Sequence, residues 1–371
     1  MKPKVLIDLG KLKNLYTGLG QVSLNYGHKL AEVNQDKFDL SYMLPSNFIN
    51  KFGEGVHYEP LSNRRRYLPF SFPGVDLWHA LHPDSAYSPP NRNIPFLLTI
   101  NDLNFMDEKS KQKANIRLNR LQKKVNKACA LTFISEYSRS VAMQQLNINV
   151  PTYVFHVGVE VDKKIPSTIS DTLSDFIFSD NKENGTKKNK ESGTSRVDNL
   201  LFAVGVVVEK KNFMVLVEMM KHLPNYKLVI AGDNTSSYAH EIKNRIVELN
   251  LSDQIILPGK ISNEERTWLY ANSKAFFFPS LVEGFGMPAV EAMHYGTPVF
   301  LSTFTSLPEV GGKAALYWQN FDPQYMASFF TKNIKEAQTE KWATIRKRHA
   351  STFTWKKNAE NYLKLYSDIL S

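Results

Sequence analysis

The chain has 371 residues, 42% hydrophobic and 22% charged, with 23 Phe and 16 Tyr, which supplies more than one sizeable core and excludes wholesale disorder. One cysteine, Cys129, excludes an internal disulfide scaffold; Asp8 cuts the first apolar stretch too short for an export signal, and no run approaches the roughly 20 residues of a spanning helix, so a soluble protein of a reducing compartment is expected. The 46 Lys+Arg against 36 Asp+Glu leave a net +10, which admits a phosphate-bearing substrate, an anionic membrane surface or nucleic acid.

Short β-branched or aromatic runs alternate with longer amphipathic stretches, the pattern of an α/β protein with parallel sheets. In the first half, strands are predicted over 5–9, 38–44, 76–79, 96–101, 131–134 and 153–156, and helices over 21–33, 111–128 and 138–146. Residues 109–127 carry eight basic side chains and no acidic one, and Arg64-Arg65-Arg66 form a second basic cluster. In the second half, strands are predicted over 200–205, 227–231, 254–257, 275–278 and 299–302, and helices over 213–222, 239–249, 263–272, 288–295 and 355–370. Ser262 with Glu265 is a capping box. Between the halves the chain is polar and, over 181–196, low in complexity, with Lys182, Lys187, Lys188 and Lys190 among small polar residues. Such a stretch cannot offset its ordering entropy by burial. The division is therefore an N-terminal domain over 1–165, a flexible polar insertion over 166–198, a C-terminal domain over 199–350 and a closing helix over 351–371.

The segment from Phe277 to Pro298 carries the strongest site signal. A buried strand ends at Pro279, a loop with Gly284 and Gly286 follows, and Pro288 sits where a helix begins. Glycines let a ligand approach the backbone, and the new helix aims N–H groups at it, which makes an anion site. Glu283 and Glu291 border the same stretch; carboxylates are poor phosphate ligands but good acceptors for sugar hydroxyls, so the ligand should carry both phosphate and sugar. The alternative for the spacing alone is an ordinary βαβ unit with two solvated glutamates.

Glu283-x7-Glu291 in this context resembles the signature of the retaining family-4 glycosyltransferases (glycosyl transferases group 1). Gly259-Lys260-Ile261-Ser262, Leu269-Tyr270, Ser306-Leu307-Pro308-Glu309-Val310 and the final Phe353-Thr354-Trp355 extend the likeness over nearly the whole chain. The resemblance implies the GT-B fold: two Rossmann-like α/β domains facing across a cleft, the acceptor on the N-terminal one, the nucleotide-sugar on the C-terminal one, and a C-terminal helix crossing back to the N-terminal domain. It also implies roles. Glu291 would hold ribose hydroxyls and Glu283 donor-sugar hydroxyls. The N–H groups of Phe285, Gly286 and Met287, with Lys211 and its neighbour Lys210, would hold the diphosphate, whose growing charge a fixed ammonium stabilises. Outside this context, paired lysines in a loop are solvated side chains. Many members have arginine after the glycine that matches Gly205; here Val206 stands there.

Gly18 and Gly20 match a family loop beside the phosphates, although Gly-x-Gly alone is often only a turn. Asn101-Asp102-Leu103 resembles a stretch in which histidine reaches the donor sugar; an amide can still donate and accept, but it cannot titrate near neutrality. Ser135 and Ser138 resemble a segment near phosphate or acceptor, with Ser138 alternatively a helix cap. His79 and His82 near a strand end read as structural. There is no Asp-x-Asp, no zinc-type Cys/His cluster, and neither a dinucleotide nor a P-loop glycine motif.

The resemblance implies a hexosyltransferase-type enzyme that needs no cofactor or metal and works by front-face displacement, so neither glutamate is expected to be a covalent nucleophile. The expected reaction is retaining transfer, mannosyl from GDP-mannose first, to a glycan or lipid-diphosphate acceptor in bacterial lipopolysaccharide, O-antigen or capsule synthesis. A cytoplasmic protein is expected, at the inner face of the membrane if Arg117, Arg120, Lys124 and Lys127 share a basic face toward anionic lipid; no nucleic-acid partner is expected. The alternatives are a nucleotide-sugar epimerase, a phosphorylase with a pyridoxal-bearing lysine, or a non-catalytic nucleotide-sugar-binding relative.

Overall fold

The computed structural model describes residues 2–15, 17–62, 74–91, 93–108, 110–179 and 196–371. The Arg64–Arg66 cluster and residues 180–195 of the expected insertion lie outside them. The chain divides into two units, 1–158 with 353–371, and 159–352.

The first unit is a parallel sheet of order β3-β2-β1-β4-β5-β6-β7. Its strands are β1 Lys4–Asp8, β2 Asp39–Leu44, β3 Val56–Pro60, β4 Leu77–Ala80, β5 Phe96–Ile100, β6 Ala130–Phe133 and β7 Thr152–Val154. The central strands are buried on both faces, which is why they read as unbroken apolar runs. Strand β3 was not expected. Its His57, Glu59 and Pro60 are tolerable only because it is the sheet's edge.

The closing helix, Trp355–Leu370, belongs to this unit and packs on helix Gly18–Val33. Its buried face carries tyrosines into a polar seam against the sheet. Tyr366 Oη lies 2.6 Å from Tyr26 Oη and 2.7 Å from His79 Nδ1, whose Nε2 is 2.8 Å from Thr99 Oγ1. Thr99 and Thr132 share a hydrogen bond of 2.7 Å, and both meet Tyr362 Oη, at 3.1 and 3.0 Å. Hydroxyls either donate or accept, so either neutral tautomer of His79 is satisfied. Burial pushes the His79 pKa down to about 3.

The second unit holds a parallel sheet of order β10-β9-β8-β11-β12-β13. The strands are β8 Val197–Val204, β9 Lys227–Ala231, β10 Ile255–Gly259, β11 Ser273–Phe278, β12 Val299–Ser302 and β13 Leu316–Trp318. Phe277, Phe300, Trp318 and Phe330 meet edge-to-face or tilted in its core. The sequence reading missed β13 and the helices Pro323–Ala337 and Glu340–Ala350. The capping box forms as read: Glu265 N–H donates to Ser262 Oγ and Ser262 N–H to Glu265 Oε2.

The insertion expected over 166–198 is corrected at both ends. Asp171–Phe178 is a helix with Leu173 and Ile177 buried, and Lys227 Nζ donates to the Phe176 carbonyl at 3.0 Å and to Ser179 Oγ at 2.6 Å. Apolar residues 173, 176 and 177 fall at helical spacing, a signal that the polar average of the stretch masked. At the other end, Arg196 donates to the carbonyls of Ala271, Ser273 and Tyr295 and to Thr297 Oγ1, at 2.7 to 3.1 Å. It is a clamp, not part of a solvated run.

The buried His79 predicts a pH dependence. Below its ordinary value of 6.5 the unfolded chain takes up a proton there, while the folded chain does so only near pH 3. Stability therefore falls as pH drops through that window, by about 2 kcal/mol between pH 7 and pH 5. Urea unfolding at the two pH values should show this loss in the wild type and a smaller one in His79→Gln; equal losses overturn the assignment.

Candidate active site

In the second unit the strand order reverses between β8 and β11, and α/β sheets bind ligands outside the carboxyl ends of the strands at such a point. After β8 the chain turns through Gly205 into a short 3-10 turn, Glu209–Lys211, closed by Asn212 in the left-handed region at φ 55°. After β11 it runs through Glu283 to the helix Met287–His294. The loops are fastened by backbone: the Lys210 carbonyl accepts from Leu281 N–H at 2.8 Å and from Ser280 Oγ at 3.1 Å. This brings Lys211 and Glu283 together. Lys211 Nζ donates to Glu283 Oε1, and the side chains are only 11% and 13% exposed. The ammonium also lies 4.7 Å from the Phe278 ring centroid.

The Glu283 loop is held from a third strand. Its N–H donates to Thr305 Oγ1 at 3.1 Å, and the buried Ser306 hydroxyl donates to the carbonyl of Phe285 at 2.9 Å. Thr305 has φ 57°, unusual for a β-branched residue and a strain the surrounding fold must hold. Gly286 caps the next helix at φ 103°, where a Cβ would stand 2.6 Å from Leu307 Cδ2, so glycine is demanded there. Met287 opens the helix and Pro288 follows; the N–H groups of such a first turn suit an anion. Glu291, one turn further, has its Oε2 3.9 Å from Arg266 Nε. Burial first, then the Glu291 charge, raises the Tyr270 pKa well above its ordinary value. Val206, where the resemblance implies arginine, is 50% exposed.

The first unit gathers another set. Asn101 follows β5, is 2% exposed, and neither atom of its side-chain amide finds a partner among the described residues. Its carbonyl accepts from Ser138 Oγ at 2.8 Å, and Ser135 Oγ donates to Ser138 Oγ at 3.0 Å. Ser135, not Ser138, caps the helix Glu136–Gln145 by accepting from Ser138 N–H at 3.0 Å. Asp102 Oδ1 accepts from Asn104 N–H at 3.0 Å. Gly18 opens the helix Gly18–Val33, and a Cβ on Gly20 would stand 2.0 Å from the Asn14 carbonyl oxygen, so Gly20 answers to close packing of the preceding loop.

The basic face read from spacing is corrected. Arg117 pairs with Asp84 and lies over the Phe105 ring, and Lys124 donates to the carbonyls of Pro83 and Ser85 at 2.6 and 2.5 Å. Both turn inward because Leu121 and Val125 on the same side are buried. Among the described residues no helix is long and apolar enough to cross a membrane, and no group of three or more His, Cys, Asp or Glu is placed to hold a metal.

Residues 185–339 match the family model of glycosyl transferases group 1. The chain is 24% identical to the O-antigen chain mannosyltransferase B of Escherichia coli, covering 98% of this chain and 99% of that protein. It is 26% identical to the O-antigen chain mannosyltransferase RfbU of Salmonella typhimurium, covering 90% and 91%. Its fold is similar to that of a sucrose-phosphate synthase from Thermosynechococcus elongatus, with a TM-score of 0.74 at 17% identity, covering 100% and 99%. The chain has the GT-B fold, and its second half is similar to the glycosyl transferases group 1.

The site also contains parts the sequence did not reveal. Arg266 lies on a helix face that reads as solvated, and Thr305 in a loop with no motif of its own. Only the sheet order puts them beside Glu291 and Glu283. The Gly286 geometry gives a direct test. Gly286→Ala should cost about 2 kcal/mol of stability through backbone strain, read by urea unfolding. An unchanged midpoint would show that the left-handed cap does not form.

Proposed function

We propose that the protein is a retaining, metal-independent glycosyltransferase that moves a mannosyl group from GDP-mannose to a glycan or lipid-linked acceptor in O-antigen-type surface polysaccharide assembly. The observation that carries the donor half is the meeting of Lys211 with Glu283 at the switch point of the second unit. A cation there suits the diphosphate and a carboxylate suits sugar hydroxyls. Glu291, oriented by Arg266, supplies the acceptor for ribose hydroxyls, and the Met287–His294 helix start adds N–H donors. The mannosyl and O-antigen parts rest on the names of the two relatives that match over nearly their whole length.

In the reaction, the bond from the sugar's anomeric carbon to the β-phosphate oxygen breaks, and its electron pair stays on the diphosphate. The acceptor oxygen forms the new bond on the same face, and its proton passes to the departing phosphate. Lys211 offsets the charge that develops there. The buried Asn101 amide offers a donor and an acceptor to a hydroxyl-bearing ligand.

Thermal shift against GDP-mannose, UDP-glucose and ADP-glucose should select the first, and NMR of the product should show retained anomeric configuration with activity intact in EDTA. Lys211→Ala should slow turnover on the order of a hundredfold. Glu291→Ala should weaken both donor and free nucleotide, and Asn101→Ala should lose more rate than Asn101→His. Wild-type turnover by folded Lys211→Ala refutes the donor site.

The inner membrane face is the proposed place of work. Lys113, Ile116, Arg120 and Lys123 are exposed at helical spacing along Lys111–Val125, with exposed Lys127 just beyond. Their charge suits anionic lipid, and Ile116, 48% exposed, suits its acyl boundary. Co-sedimentation with phosphatidylglycerol vesicles should exceed that with phosphatidylcholine, fall with salt, and drop in Arg120→Glu/Lys123→Glu. Binding insensitive to lipid charge overturns this.

A further inference from the structure

Lys211 has two claimants. Its ammonium is already given to Glu283, on a loop fastened by Leu281, Ser280, Thr305 and Ser306, and it is backed by the Phe278 ring. With both side chains this enclosed, neither charge is well screened by water, so breaking the pair without a replacement partner is costly. A diphosphate that takes Lys211 must therefore displace a carboxylate tethered at high effective concentration.

The two forms of the ligand differ in how they compensate. A nucleotide-sugar brings hydroxyls that occupy the displaced Glu283 while its phosphates occupy Lys211. The nucleoside diphosphate left after transfer brings no sugar, and its terminal phosphate carries more negative charge than the diester it came from. It can satisfy Lys211 but leaves Glu283 without a donor and beside a like charge.

We propose that Glu283 acts through Lys211 as a tethered counter-ion that competes with the nucleoside diphosphate and so limits how tightly this product is held. This rests on the donor-site reading above. Glu283 is in this respect a positioning residue for Lys211 as well as a sugar ligand. Its return to the ammonium replaces the leaving diphosphate, so product departure does not strand a buried cation.

The test is equilibrium binding, by calorimetry, of GDP, UDP and ADP to the wild type, Glu283→Gln, Lys211→Gln and the double variant. Glu283→Gln should bind the preferred nucleotide on the order of tenfold tighter, with the matching nucleotide-sugar gaining less, and product inhibition should strengthen by the same factor. Lys211→Gln should bind it more weakly, and adding Glu283→Gln to that background should restore little. Glu283→Ala, which removes the same charge, must give the same order and serves if the amide variant does not fold. A Glu283 variant that binds the nucleotide no tighter than the wild type overturns the competition while leaving the donor site standing. So does a gain that persists undiminished without Lys211, since it would be plain repulsion. If Lys211→Gln binds like the wild type, or the wild type takes none of the three nucleotides, the donor-site reading fails and the proposal falls with it.

Discussion

Lys211 and Glu283 can meet because β8 and β11 are neighbours in the sheet although 72 residues separate the two side chains. At this reversal of strand order the chain leaves one strand to one side and the other strand to the opposite side, so two loops face each other without a connection between them. The two loops are joined to each other by the ion pair and by the Lys210 carbonyl. The tight approach carries its own requirements. A Cβ on Gly232 would stand 1.9 Å from the Gly205 carbonyl oxygen, and one on Gly205 would stand 3.3 Å from Lys211 Cε. The glycines at the ends of β8 and β9 thus set how close the lysine lies to the strand that carries it.

The two units bury polar groups by different means. In the first, the His79 imidazole is kept neutral and passed among hydroxyls of Thr99, Tyr366 and, beyond them, Tyr26, Thr132 and Tyr362. This seam buries no charge among its described residues, and the closing helix is held in register by directional contacts that plain apolar packing would not supply. In the second, Arg196 and Arg346 are enclosed against carbonyl oxygens, which lowers their pKa to about 10 and about 9 without removing the charge at neutral pH. Among the described residues, only at Lys211 and Glu283 does a nearly enclosed cation face a nearly enclosed anion. That difference matters chemically, because a charge–charge pair can be exchanged for another charged ligand, whereas hydroxyl and carbonyl clamps serve the fold.

How far the sequence could be read follows from these distinctions. Strands 227–231 and 299–302 and helices 263–272 and 355–370 were predicted at their observed bounds, since each is an apolar run or an amphipathic stretch with a cap at its start. Edge strand β3 escaped because it is only partly buried and carries polar residues, and Asp171–Phe178 because its neighbours are polar. Glu283 and Lys211 were legible through motif resemblance; their pairing was not, because contact across 72 residues depends on strand order. Arg117 and Lys124 show the converse. Their spacing correctly put them on one helix face, but spacing does not say whether that face looks outward, and here Asp84 and two carbonyls claim it.

Asn101 is the place where local rules and the observed structure disagree most. Leaving a buried donor or acceptor without a partner costs about 1–3 kcal/mol per group, and here both atoms of one amide are left so among the described residues. The backbone of the same residue is treated in the opposite way, its carbonyl fixed by Ser138, which Ser135 holds in turn. A fold that anchors the main chain and leaves the side chain unsatisfied gains nothing from asparagine as a packing residue; an apolar side chain of similar volume would strand no polar atom there. The arrangement makes physical sense if the partner arrives with a ligand that both gives and takes a hydrogen bond, as a sugar hydroxyl does. The histidine that the resemblance implies at this position would offer the same pair of functions from a neutral ring. Replacing it by an amide therefore gives up titration near neutrality while keeping the recognition.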